Sequence, residues 1–249
     1  MKLFPVAHLL LLASLTSAAQ TPALPQTTPP PAASVDAGLA ALRAGQPAQA
    51  LAIFQQILAA DPNNAVADLY AATAALEQYN GPLAVQYAEK ARQLDPQSWK
   101  IHTTLVAAYA AAGMKQQRDD ERALLAKLHS TGATDAREAN GFLLEMFQLG
   151  SLQVNAIQYF EPMGRFRTYY RFLVRDPATQ AKREIDVQSN DFDEKSWAAE
   201  HPAQAAAGER QFQITDATGT MDYRMFTGKP DYDAIRAMVD SILQTQPAH

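Results

Sequence analysis

Residues 50–62 read ALAIFQQILAADP, and residues 84–96 read AVQYAEKARQLDP. The Asp61-Pro62 pair returns as Asp95-Pro96, 34 residues on, and Ala50 returns as Ala84 at the same distance before its proline. Between these anchors Phe54 meets Ala88 and Ile57 meets Ala91, apolar against apolar. Upstream, the small pair Ala37-Gly38 is repeated as Ala71-Ala72, and the third copy of that slot is Leu105-Val106, followed by Tyr109 and Gly113. Gly45 and Gly113 stand two full periods apart. A fixed period of this length marks a stacked supersecondary unit. Each unit reads as two amphipathic helices, with small residues where the helices cross closely. The Asp-Pro pair closes a unit, because proline cannot continue a helix interior but suits a helix start. Asn80-Gly81-Pro82 separates the two helices of the middle unit.

From Val35 to His129 the chain resembles the tetratricopeptide repeat (TPR) family, in three copies. The resemblance implies helical hairpins whose first helices, near Val35–Ala44, Ala65–Gln78 and Trp99–Ala112, line a concave face that takes ligands. By spacing, the inward positions include Val35, Leu39, Leu42, Leu69, Thr73, Leu76, Lys100, Thr103 and Ala107, a mainly apolar set. Some members of the family clamp a peptide carboxylate with Lys, Asn and Arg. Here only Lys100 stands at such a site, while Val35, Leu39 and Thr104 occupy others, so the clamp is rejected. The third unit departs from the pattern. Arg118 and Arg122 replace Ala50 and Phe54, and the closing Asp-Pro is missing, as expected of a polar-faced cap or a junction. An apolar groove needs a cover. Either a partner segment fills it, or the chain does so itself with a helix near Thr134–Leu149.

The chain has 249 residues, 47% of them hydrophobic and 19% charged, which suits a buried core rather than wholesale disorder. The absence of cysteine excludes disulfides, thiolate metal sites, cysteine nucleophiles and a lipid-anchored export cysteine. A net charge of −5 argues against a general nucleic-acid binder. Met1-Lys2, the apolar run Leu3 to Leu15 and Ser17-Ala18-Ala19 read as a secretory signal, residues 1–19, cleaved between Ala19 and Gln20. The run is too short to span a bilayer, and no second stretch is long enough, so no membrane span is expected after cleavage. The expected location is outside the cytoplasm, periplasmic or secreted if the source is bacterial. Residues 20–34, with Pro22, Pro25, Pro29, Pro30 and Pro31, read as an extended spacer.

Residues 35–130 form the expected repeat domain and 131–249 a second, α+β domain. Asp135–Leu149 is expected to be helical, with Ala139, Phe142, Leu143, Met146, Phe147 and Leu149 as its stripe and Gly150 as its terminator. An alternation of period two then begins. Leu152, Val154 and Ala156 mark one strand, running to about Phe160, and Met163-Gly164 a turn. The next strand sets Phe166, Tyr170, Phe172 and Val174 against Arg165, Arg167, Tyr169, Arg171, Leu173 and Arg175. Ile185 and Val187 face inward on the strand after Asp176-Pro177. Phe212 and Ile214 mark a fourth strand, and Met221, Tyr223 and Met225 a fifth, joined at Asp216–Gly219. Asp231 caps a final helix carrying Tyr232, Ile235, Met238, Val239, Ile242 and Leu243. The expected fold class is thus α+β: a TPR-like all-α solenoid, then an antiparallel sheet of four or five strands with a packed C-terminal helix.

Motifs for chemistry are missing. His102, His129 and His201 have no metal-site spacing, so no metal or other cofactor is expected. Asp191, Asp193 and Glu194 start like a calcium loop, but Lys195 and the missing glycine and closing Glu break it. Gly228-Lys229 lacks the rest of a phosphate loop. No nucleophile elbow or dinucleotide fingerprint is present. Arg167 and Arg171 suggest an anion surface, against which stands cross-strand pairing with Glu184 and Asp186. Three functions are expected in order. The first is an exported adaptor, not an enzyme, that holds a protein or peptide segment against Leu39, Leu42, Leu69, Thr73, Leu76, Lys100 and Thr103. The second is a ligand-binding or catalytic C-terminal domain mounted on the repeats. The third is a structural scaffold with a self-filled groove.

Overall fold

The computed structural model describes residues 33–131, 140–163, 167–189, 194–227 and 231–245. The expected signal, its cleavage site at Ala19 and Gln20, and most of the spacer lie outside these residues, as do Gly164, Arg165 and Phe166. Ala33–His249 clusters as one compact unit.

Six helices come first: α1 (Val35–Arg43), α2 (Pro47–Ala60), α3 (Ala65–Glu77), α4 (Gly81–Leu94), α5 (Trp99–Ala111) and α6 (Lys115–Thr131). Each packs on the next, giving three hairpins. Their ends follow the repeat. Ser34, Asn64 and Asn80 accept bonds from the N–H groups of Ala37, Ala67 and Leu83 at 3.2, 3.0 and 3.2 Å. Each cap satisfies a donor that a helix start leaves orphaned. Pro47 and Pro82 fill first turns, and Asp61 and Asp95 close α2 and α4.

The first helix of every pair ends in one way. Gly45, Tyr79 and Gly113 have φ of 68°, 57° and 72°. The next N–H of each reaches back, Gln46 to Ala41, Asn80 to Ala75 and Met114 to Tyr109, at 2.9, 2.9 and 2.8 Å. This is a Schellman closure. Tyr79 makes it with a side chain in the left-handed region, at roughly 1–2 kcal/mol. Close helix crossings explain two other glycines. A Cβ on Gly38 would lie 2.4 Å from the Phe54 ring, and one on Gly81 would lie 2.4 Å from the Ala111 backbone.

The second half is a six-stranded antiparallel meander in the order β1-β2-β3-β4-β5-β6. The strands are β1 (Gly141–Leu149), β2 (Leu152–Met163), β3 (Thr168–Arg175), β4 (Lys182–Ser189), β5 (Glu209–Asp216) and β6 (Gly219–Thr227). Two short helices, α7 (Glu194–Glu200) and α8 (Pro202–Ala206), join β4 to β5, and α9 (Tyr232–Thr245) follows β6. Asp231 caps α9 through the Ala234 N–H at 3.3 Å, as expected. The expected strands are all present, but the count is six because β1 precedes them.

That first strand corrects the expected helix at Asp135–Leu149. Among the described residues of that stretch, Gly141–Leu149 is extended. A bulge between Leu143 and Glu145 breaks its alternation. Phe142, Leu144 and Phe147 then face the sheet core, while Leu143 and Met146 face α3 and α5. A strand buried on both faces and bulged once shows the spacing of an apolar helix. Gly150 ends no helix. It takes the first place of a two-residue hairpin turn, with φ of 60°, between the paired Leu149 and Leu152. Met163 belongs to β2 rather than to a turn. Tyr223 and Met225 of β6 are exposed.

The sheet core gathers Val154, Ala156, Tyr170, Phe172, Val174, Ile185, Val187, Phe212 and Ile214 under Tyr232, Ile235, Val239, Ile242 and Leu243 of α9. Val106 of α5 and Leu125 of α6 belong to the same cluster. Arg118 and Arg122 are junction residues, as the third unit's departures imply. Arg118 bonds Asp233 of α9 at 2.8 Å, and Arg122 bonds Gln158 of β2 at 2.7 Å and the Tyr170 hydroxyl at 3.3 Å.

A buried polar network joins α4, α5 and α6. His102 is 3% exposed. Its Nδ1 meets the Glu121 carboxylate, and its Nε2 meets the Pro96 carbonyl at 3.1 Å. Glu121 also meets Arg92 at 3.5 Å; Arg92 pairs with Glu89, which accepts from Tyr109. Two acceptors flank the ring, so both nitrogens must donate and the imidazolium is the matched form. Burial pulls the His102 pKa down, but Glu121 and the Pro96 carbonyl outweigh it and raise it above the usual 6.5.

Two outcomes follow for stability. Gly81→Ala should cost about 1–3 kcal/mol by overpacking, read as a lower melting temperature. An unchanged melt would mean that α4 does not dock on the end of α5. His102 stabilises fully below its unfolded pKa, and that stability is lost as pH rises through the raised folded value. The wild-type melting temperature should therefore fall between about pH 6 and about pH 9 more than that of His102→Gln. Equal slopes would contradict the charged form.

Candidate functional site

The repeats and the sheet enclose a cleft of about 600 Å³. One wall is the pair of turns that end α1 and α3: Gly45, Pro47, Glu77 and Tyr79. The other wall is the sheet face that points away from α9. Strand register builds it in rows. Asn155, Leu173 and Glu184 stand side by side on β2, β3 and β4, and Gln153, Arg175 and Lys182 form the next row. Met146 of β1 lies between the walls.

Charge divides across this cleft. Glu77 is half-buried, and burial raises its carboxyl pKa. Lys182 is exposed on the opposite wall. Arg175 bonds Gln180 at 2.7 Å, Arg183 bonds Asp216 at 2.8 Å, and Glu184 meets Arg171 at 3.2 Å. Pro47, Met146 and Leu173 add apolar surface to the same cleft. The Tyr79 hydroxyl lies beside Gln148 of β1, and burial lifts it above the ordinary tyrosine pKa of 10.0. The turn closing α3 is thereby tied to the sheet, at the one repeat that lacks glycine there.

The positions expected to line the repeat groove are divided. Leu69 is 9% exposed and packs with Ala88, Ile101, Leu105 and Tyr109 between helices. Leu76 is 2% exposed and packs with Ala107 beneath Leu143 and Met146. Both are interhelical core rather than open groove. The alanines of the second helices admit this close packing, which leaves no free face for the leucines. Leu39 and Leu42 are half-buried on α1. Thr73 and Thr103 turn their hydroxyls to the carbonyls of Leu69 and Lys100 at 3.1 and 2.8 Å. Lys100 is exposed. The C-terminal end of the groove is therefore covered by the chain itself, by strand β1 and not by a helix.

Arg171 is held by both Asp186 oxygens at 2.7 and 2.8 Å and by Glu184, which keeps it firmly charged. Arg167 has φ of 51° and is exposed, and its carbonyl accepts from the Ser189 N–H at 3.3 Å. The two arginines are thus separated in role. Asn190 to Asp193 lie outside the described residues; Trp197 of α7 is buried and stacks on His201. Among the described residues, no group of three His, Asp or Glu side chains could hold a metal ion. No described helix is long and apolar enough to cross a membrane.

Glu77, Tyr79, Asn155 and Lys182 had escaped the sequence reading. One signal pointed to Tyr79: it occupies the place of Gly45 and Gly113 in the period. Asn155 and Lys182 meet the same cleft through strand register, and Glu77 through the packing of the repeats on β1.

No family model and no curated protein matches the chain. Among solved structures, the second TPR domain of the human RPAP3 protein, in complex with an HSP70 peptide, is similar over 41% of this chain and 85% of that chain. The identity is 21% and the TM-score 0.37. In this chain, six tandem helices paired as hairpins on a 34-residue period form a TPR-like arrangement.

Proposed function

We propose that this protein is an exported interaction module of TPR type that binds an extended segment of another protein in the cleft between repeats and sheet. The observation that carries this reading is the cleft's construction: a half-buried acid, Glu77, on the repeat wall, an exposed base, Lys182, on the sheet wall, and the apolar Pro47, Met146 and Leu173 beside them. A carboxylate whose pKa burial raises gains from a cation or donor brought by a ligand. The opposing wall suits an acidic side chain. An extended chain presents alternate residues to opposite sides, which matches a narrow two-walled cleft. The left-handed Tyr79 adds support, since backbone strain collects where a side chain is needed in place. Export rests on the pattern from Met1 to Ala19, and N-terminal sequencing of the protein from its own cells should begin at Gln20.

Partner capture by Ala33–His249, the compact unit, tests the cleft. Glu77→Lys and Lys182→Glu should each weaken capture at least tenfold, or about 1.4 kcal/mol, with little change in melting temperature. Leu69→Glu serves as the contrast: it buries a carboxylate among Ile101 and Leu105 and should lower the melting temperature itself. Undiminished capture by both charge variants would remove the cleft from the reading.

A further inference from the structure

The two edges of the sheet differ. Strand β1 is covered by α5. Strand β6 pairs with β5 alone among the described residues, and its outer edge carries two exposed apolar side chains, Tyr223 at 50% and Met225 at 40%. An uncovered edge is a template for another strand.

The centre of that edge is Tyr223. Its N–H donates to the Asp222 carboxylate at 2.8 Å, and its carbonyl accepts from the Arg224 guanidinium at 3.0 Å. Arg224 also pairs with Asp222 at 3.0 Å. Both backbone groups of Tyr223 thus turn outward from β5, and two neighbouring side chains stand in for a missing strand. The surrounding sequence, Met221-Asp222-Tyr223-Arg224-Met225, is self-complementary about its middle residue.

We propose that β6 pairs antiparallel with β6 of a second copy of this chain, about a two-fold axis at Tyr223, so that one sheet runs through both copies. In this register the two Tyr223 residues exchange N–H···O=C bonds, as a hydrogen-bonded antiparallel pair requires. Asp222 of each copy lies opposite Arg224 of the other. The ion pair within one strand becomes two pairs across the axis, so no charge is left unmatched. A two-fold interface needs one patch complementary to itself, and Asp222, Tyr223 and Arg224 provide it. The centre of β6 has no proline and no like-charge pair to guard the edge, its bulge against β5 falls at Met221, before Asp222, and the Asp222–Arg224 pattern selects a single register. This inference is independent of the cleft, which lies on β2, β3 and β4.

Sedimentation equilibrium of Ala33–His249 over a concentration series tests the proposal, with circular dichroism to verify folding. Wild type should show a monomer–dimer equilibrium. Asp222→Arg and Arg224→Asp should each raise the dimer dissociation constant at least tenfold, because each sets like charges opposite one another. An equimolar mixture of these two variants should dimerise again, and so should the double exchange Asp222→Arg with Arg224→Asp. A wild-type monomer at every concentration would overturn the proposal, whether the Tyr223 amide exchanges freely or is protected by another segment of the same chain. A dimer that both single variants leave intact would overturn it equally.

Discussion

The contact on which the rest of this structure depends is that of β1 with α3 and α5. A solenoid of helical hairpins has an exposed last face, and an antiparallel sheet has two exposed edges. Strand β1 resolves one problem of each kind. Its Phe142, Leu144 and Phe147 complete the sheet core, and its Leu143 and Met146 cover Leu76 and Ala107. Each side chain of this size contributes about 1.5–3 kcal/mol when fully buried. The bulge between Leu143 and Glu145 shifts the phase of the strand, so that Phe147 joins Phe142 and Leu144 on the sheet core while Met146 joins Leu143 on the helices.

From that contact the remaining arrangement follows. With β1 seated on α5, the next helix must lie against the sheet, and Leu125 joins its core. Arg118 and Arg122 then stand where the first repeat has Ala50 and Phe54, and they meet Asp233, Gln158 and Tyr170 instead of another hairpin. The turns ending α1 and α3 come to face the open side of the sheet, which creates the cleft. Tyr79, held in a left-handed conformation at the end of α3, places its side chain beside Gln148 of β1.

The legible parts of the sequence were those with local causes. Asp61-Pro62 and Asp95-Pro96 end helices wherever they occur, and Gly45 and Gly113 take a left-handed conformation that a closure needs. Period-two alternation marked β3 and β4 because one face is buried and the other is open. The first strand was misread because burial on both sides erases alternation, and one bulge then imitates a helical stripe. Leu69 and Leu76 were misplaced for a related reason. Helical spacing shows which residues share a face, but Ala72, Ala88 and Ala107 let neighbours approach until that face is closed. The cleft joins residues from positions 45 to 184, which strand register and the seating of β1 on the repeats bring together. Tyr79 was visible as a break in the period before its role was.

The central claim is that repeats and sheet are one cooperative body joined through β1. The chain's two tryptophans report on its two halves: Trp99 opens α5, and Trp197 lies in α7. Denaturant unfolding of Trp99→Phe and of Trp197→Phe, followed by the remaining tryptophan's fluorescence and by far-ultraviolet circular dichroism, measures that cooperativity directly. Coincident transitions by both probes in each variant are the predicted result. Separate midpoints, with the sheet melting while the helices persist or the reverse, would contradict the account.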